Sequence, residues 1–132
     1  MGFIMVNPNP VKRYTGDCVI RAISIAEDKS WDDVFVDLML KSFEMKDIPS
    51  SNAVWGAYLH DLGYGRYVIP DTCPDCYTVE NFTFDHPDGI YILATGTHVV
   101  AIIDGNAYDT WNSLGEIPIY YFKKEKGEVN DA

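Results

Sequence analysis

The sequence predicts an α+β fold, and three observations carry the prediction. From Cys18 to about His86, apolar residues recur at helical spacing behind recognisable helix starts. After Gly89 the composition turns to β-branched and aromatic runs of strand length, "IYILAT", "HVVAIID", "NAYDTW" and "IPIYYF", separated by "GT", "DG" and "SLGE". Asp104-Gly105, between two of these runs, is a strong signal for a two-residue hairpin. N-terminal helices followed by a C-terminal antiparallel sheet is therefore the expected arrangement, in a single domain of residues 1–132.

The elements follow in order. Phe3 to Val6 reads as a short edge strand, and "NPNP" then imposes an extended or turning segment, because each proline fixes its own φ and disfavours helix in the residue before it. The first helix begins near Cys18, with Asp17 as N-cap and Val19, Ile20, Ala22, Ile23 and Ala26 on one face. Ser30, with Asp32 and Asp33 behind it, starts a second helix over about Trp31–Met45, whose apolar positions include Val34, Leu38 and Phe43. Pro49 and two serines start a third, with Val54, Ala57 and Tyr58 on a face and Gly63 as its stop. "RYVIP" reads as a short strand, "DTCPDC" as a loop, and Thr78 to about His86 as a short helix closed by Pro87-Asp88-Gly89. The polar tail, residues 124–132, is expected to fray.

Composition narrows the functional classes. Twenty acidic against ten basic side chains give a formal charge of −10, and no basic cluster interrupts it except "KKEK". Phosphate binding needs clustered positive charge, so no nucleic-acid partner is expected; a peptide or protein substrate, or a basic partner, fits better. No window approaches the ~18 consecutive apolar residues of a membrane span, and the N-terminus lacks the basic and apolar regions of a secretory signal, so no membrane partner and a cytoplasmic location are expected. Oligomeric state has no signature. Three cysteines, an odd number in a cytosolic-looking chain, argue against a disulfide framework. Cys73 and Cys76 form a lone CxxC; structural zinc needs four ligands, so neither a metal nor a cofactor is expected.

Cys18 is then the cysteine to explain. A small apolar core residue at the start of a helix is one reading. The other is a nucleophile, since a helix N-terminus carries partial positive charge and unpaired N–H groups that stabilise a thiolate and receive an oxyanion. A nucleophilic cysteine needs a base from elsewhere in the chain. His60 lies mid-helix and His86 at a turn, but His98 opens a strongly apolar strand, where an imidazole needs a polar partner. With a two-residue Asp104-Gly105 turn, Ile103 pairs with Asn106, His98 falls opposite Trp111, and Asp109 is its diagonal neighbour on the same face. A three-residue turn would instead bring Asn112 opposite His98. Trp111, beside the hairpin, can shield a His98–Asp109 hydrogen bond from water.

The order of these residues resembles that of papain-like cysteine peptidases. "GDCVIRAIS" is similar to the cysteine helix of that fold, and "THVVAIIDGNAYDTW" to its histidine hairpin. The resemblance is to small papain-like domains, those of bacteriocin-processing peptidases of bacterial exporters and of phage or prophage proteins. It implies a papain-like fold and an acyl-enzyme mechanism with Cys18 as nucleophile, His98 as base and then acid, and Asp109 as orienter. The glutamine that such enzymes place before the cysteine as second oxyanion donor is replaced by Lys12, and Asn9, in its Pro-bracketed loop, is the expected substitute. An acyltransferase or transglutaminase-like enzyme, and an inactive papain-like binding protein of phage or mobile-element origin, are the alternatives the resemblance leaves open.

Overall fold

A computed structural model of the chain describes residues 2–125. Its elements are β1 (Gly2–Met5), α1 (Cys18–Glu27), α2 (Trp31–Met45), α3 (Asn52–Asp61), β2 (Tyr64–Val68), α4 (Val79–Asp85), β3 (Ile90–Ala94), β4 (Val99–Ile103), β5 (Asn106–Asp109) and β6 (Tyr120–Lys124). The fold is α+β, and three helix starts follow from side-chain caps. Ser30 Oγ accepts the Asp33 N–H in α2, Ser51 accepts from Ala53 in α3, and Thr78 and Asn81 form a reciprocal capping box in α4. Asp17, the expected cap of α1, makes no capping bond; its carboxylate is used elsewhere.

The six strands form one sheet in the order β1-β5-β4-β3-β6-β2. It is mixed, which corrects the expectation of an antiparallel C-terminal sheet. β1 runs parallel to β5, with Gly2 opposite Asn106 and Met5 opposite Asp109, while the other four pairings are antiparallel. A parallel pairing needs a long crossover, and the helices between β1 and β5 supply one. β2, from the middle of the chain, adds to the opposite edge against β6.

Both faces of the central strands are covered. Ile92, Ala94, Val99, Ala101 and Phe122 pack with Ala22, Ile23, Leu38, Val54, Trp55 and Leu59 of α1, α2 and α3. The alternate residues Tyr91, Leu93, Val100, Ile102 and Ala107 pack with Val79 and Phe82 of α4. That two-sided burial is why β3 and β4 read as unbroken apolar runs instead of alternating ones. On α2, Val34 and Leu38 are buried as expected, but Phe43 is 71% exposed and shares the outer surface with Val36, Met39 and Leu40.

Two further expectations are corrected. Cys73 and Cys76 are joined in a disulfide, because the turn between them brings their Cα atoms to 4.2 Å. Lys124, placed at the start of a fraying tail, is paired with Tyr64 in the sheet, and its ammonium lies 2.8 Å from Glu27. Residues 126–132 of that tail lie outside the described residues. Among the described residues no helix is long and apolar enough to cross a membrane.

Candidate active site

The β4–β5 hairpin turns through Asp104 and Gly105 alone, both at positive φ (49° and 78°), the conformation of the tight hairpin turn. Ile103 therefore pairs with Asn106 and Ala101 with Tyr108. This register brings His98 Nε2 to 2.6 Å from Asp109 Oδ2. Asn112 takes no part: it is exposed, and its Oδ1 accepts the Leu114 N–H. Trp111 lies with its ring centroid 4.9 Å from that of His98, at the solvent edge of the pair.

His98 is held from its backbone as well. Thr95 Oγ1 accepts the His98 N–H at 3.0 Å, and the Thr95 N–H donates to the His98 carbonyl at 2.8 Å, which fixes the turn between β3 and β4. Asp109 is 3% exposed and fully engaged. Oδ1 accepts the Thr110 N–H at 2.8 Å, and Oδ2 accepts Ser113 Oγ at 2.8 Å besides facing His98. Burial opposes its charge, but the bonds from His98 and Ser113 outweigh it and hold its carboxyl below the ordinary value.

Cys18 opens α1 across a cleft of about 200 Å³ that it lines together with His98, Thr95, Thr97, Asn52, Trp55 and Tyr120. With Nε2 committed to Asp109, Nδ1 is the imidazole nitrogen left for the thiol. Burial alone would push the Cys18 thiol up. Hydrogen bonds from His98 and the Val99 N–H, with the charges of His98 and Arg21, reverse this and hold it below its ordinary value. The same partners act on His98: burial lowers its pKa, but Asp109 and Cys18 together raise it to about 9. Opposite displacements of thiol and imidazole favour the thiolate–imidazolium form of the pair over the neutral one.

Asp17, the neighbour whose charge would disfavour a thiolate, has both carboxylate oxygens engaged by other groups. One oxygen takes the Arg21 guanidinium and the other accepts Trp31 Nε1 at 2.9 Å and Asn9 Nδ2 at 3.3 Å. Arg21, 7% exposed and one turn along α1 from Cys18, also reaches Asp109 Oδ1 at 3.7 Å. Asn9 is accordingly corrected as an oxyanion donor. It is 4% exposed, its Nδ2 is given to Asp17, its Oδ1 accepts the Val11 N–H at 3.0 Å, and it does not line the cleft. Its rigid, proline-bracketed loop braces the base of α1 instead. Among the described residues the side-chain amide that does line the cleft is Asn52, whose Oδ1 accepts Trp55 Nε1 at 3.0 Å.

Arg21, Ser113, Thr95 and Asn52 were missed from the sequence. Arg21 sits three residues after Cys18 and Ser113 four after Asp109, spacings that were available as signals; Asn52 gave none, since its approach to Cys18 depends on how α3 packs. Among the described residues no group of three or more His, Cys, Asp and Glu side chains is arranged to hold a metal ion. Comparison of the chain with protein-family models, with curated proteins and with solved structures returned no match.

Proposed function

We propose that this chain is a papain-like thiol hydrolase, a cysteine peptidase that works through an acyl-enzyme on Cys18. The observation that carries the reading is the His98 imidazole, fixed by Asp109 at 2.6 Å through Nε2 and sharing the wall of one cleft with the Cys18 thiol. A helix-terminal cysteine serving only as core would not need a half-buried, carboxylate-oriented imidazole beside it.

In this reading the thiolate sulfur attacks the scissile carbonyl carbon, and the oxyanion that forms is met by the Cys18 N–H at the start of α1. Collapse of the intermediate expels the amine, which takes its proton from the His98 imidazolium and leaves a thioester on Cys18. The now neutral His98 accepts a proton from water as the water oxygen attacks the thioester. The acid product leaves, and Cys18 and His98 return to their starting state. Asp109 keeps its charge throughout, fixing the ring and stabilising the imidazolium.

The test is alkylation of Cys18 by iodoacetamide across pH, followed by peptide mass mapping. The rate follows the thiolate fraction. A pKa displaced downward moves the rise to lower pH, so the alkylation midpoint should lie below that of a free thiol. The imidazolium partner persists until His98 loses its proton at about 9. His98→Ala should return the rise to the range of a free thiol, about 8.5. A wild-type rate that climbs only above about pH 8 would refute the activated nucleophile.

A further inference from the structure

Beside the Cys18 cleft lies a larger cavity, of about 490 Å³, on the other side of Asn52 and Tyr120, which line both. Its floor is the small-residue face of α3, Ala53, Gly56 and Ala57, together with the Phe122 ring. None of its lining residues carries a negative charge, and three nitrogen-bearing side chains, Asn52, His60 and Arg66, stand in its wall. Arg66 belongs to the face of β2 that turns toward α3, since it pairs with Phe122 and alternates with the buried Tyr64. Its guanidinium carbon sits 4.3 Å from the centroid of the Tyr120 ring. Among the described residues no carboxylate lies within ion-pair distance of it.

What sets Arg66 apart in a chain of net charge −10 is its place: it lies over an aromatic ring in the wall of a largely apolar cavity that has no carboxylate among its lining residues. Stacking on an aromatic face uses the flat surface of a guanidinium and leaves its N–H edge, the part that matches a carboxylate, directed outward. We propose that this cavity is a substrate subsite for an acidic side chain next to the scissile bond, with Arg66 as its counter-ion. The assignment rests on the thiol-hydrolase reading of Cys18 for the meaning of "scissile". The floor accepts the methylene stem of a glutamate, the guanidinium edge takes its carboxylate by charge-assisted hydrogen bonds, and His60 offers a second donor. Tyr120 carries the coupling between the two chambers, because the ring that supports Arg66 also forms a wall of the Cys18 cleft.

The test separates binding from chemistry. In the Cys18→Ala chain, acetylated tetrapeptides differing only by Glu or Gln, with that residue moved through the positions of the peptide, are titrated while the Tyr120 and Arg66 side-chain NMR signals are followed. In at least one position the Glu peptide should bind about tenfold tighter than the Gln peptide, which is ~1.4 kcal/mol. Arg66→Gln, an exposed position, should abolish the preference, and Arg66→Glu should reverse it toward a Lys peptide. Equal affinity for Glu and Gln peptides at every position, or a Glu preference that survives Arg66→Gln, would overturn the subsite. Neither result depends on the thiol, so iodoacetamide labelling of Cys18 in the native chain reports separately on the catalytic reading.

Discussion

At the scale of single residues, the charge balance around Cys18 depends on where each neighbour spends its hydrogen bonds. Asp17 is adjacent in sequence yet stays out of the thiolate's balance because Arg21, Trp31 and Asn9 occupy its oxygens. Asn52 is distant in sequence, and Trp55 holds its oxygen, so its Nδ2 is the amide donor left for the cleft. An oxyanion forms during acyl transfer but not during alkylation, which separates the roles of these groups experimentally. Asn52→Ala should therefore slow hydrolysis of a peptide anilide on the order of 100- to 1,000-fold, the effect of losing one oxyanion donor. Its iodoacetamide rate should stay at the wild-type value. Loss of both rates together would show that Asn52 merely supports the fold at the start of α3.

At the scale of elements, the candidate site stands where the first turn of α1 meets the end of the β4–β5 hairpin. The hairpin half was legible in advance because its information is local. Asp104-Gly105 sets a two-residue turn, the turn sets the register, and the register puts Asp109 diagonal to His98. The helix half was legible only in part: α1 begins at Cys18 as its spacing predicts, but Asp17 reads as a capping side chain from its position while its carboxylate pairs with Arg21. Arg21 joins the two halves by standing between the carboxylates of Asp17 and Asp109. Removing one member of a buried ionic cluster leaves the others uncompensated, at a cost of ~3–5 kcal/mol. Arg21→Ala should lower unfolding stability in urea by that amount and shift the alkylation profile of Cys18 to higher pH, because a positive charge near the thiolate is gone. Arg21→Lys, which keeps the charge without the fork, should retain most of the alkylation profile. An Arg21→Ala chain of unchanged stability would show that the cluster contributes nothing net.

At the scale of the whole molecule, the part the sequence could not disclose is the pairing between its two ends. The helices and the C-terminal strands announced themselves through period and turn chemistry, whereas the parallel pairing of β1 with β5 joins residues about a hundred positions apart and leaves no local trace. It matters to the site. Past the end of β1, the Val6 N–H donates to the Asp109 carbonyl at 2.8 Å, so the strand that carries the Asp109 carboxylate is held from both sides, by β4 and by the N-terminal segment. The next residues run through the Pro-bracketed loop to Asn9 and Asp17, beneath α1. One continuous stretch thus braces both the carboxylate strand and the cysteine helix. Val6→Pro tests this, because proline removes that single donor while the extended backbone before it remains compatible with the ring. An unpaired carbonyl in a half-buried setting costs ~1–3 kcal/mol, so urea unfolding should show a loss of that size relative to Val6→Ala. If the bond also positions Asp109, the alkylation profile of Cys18 should move toward that of a free thiol in Val6→Pro and not in Val6→Ala. A Val6→Pro chain that loses stability but keeps the wild-type profile would confine β1 to closing the sheet edge, leaving Thr110, Ser113 and Arg21 sufficient to hold the carboxylate.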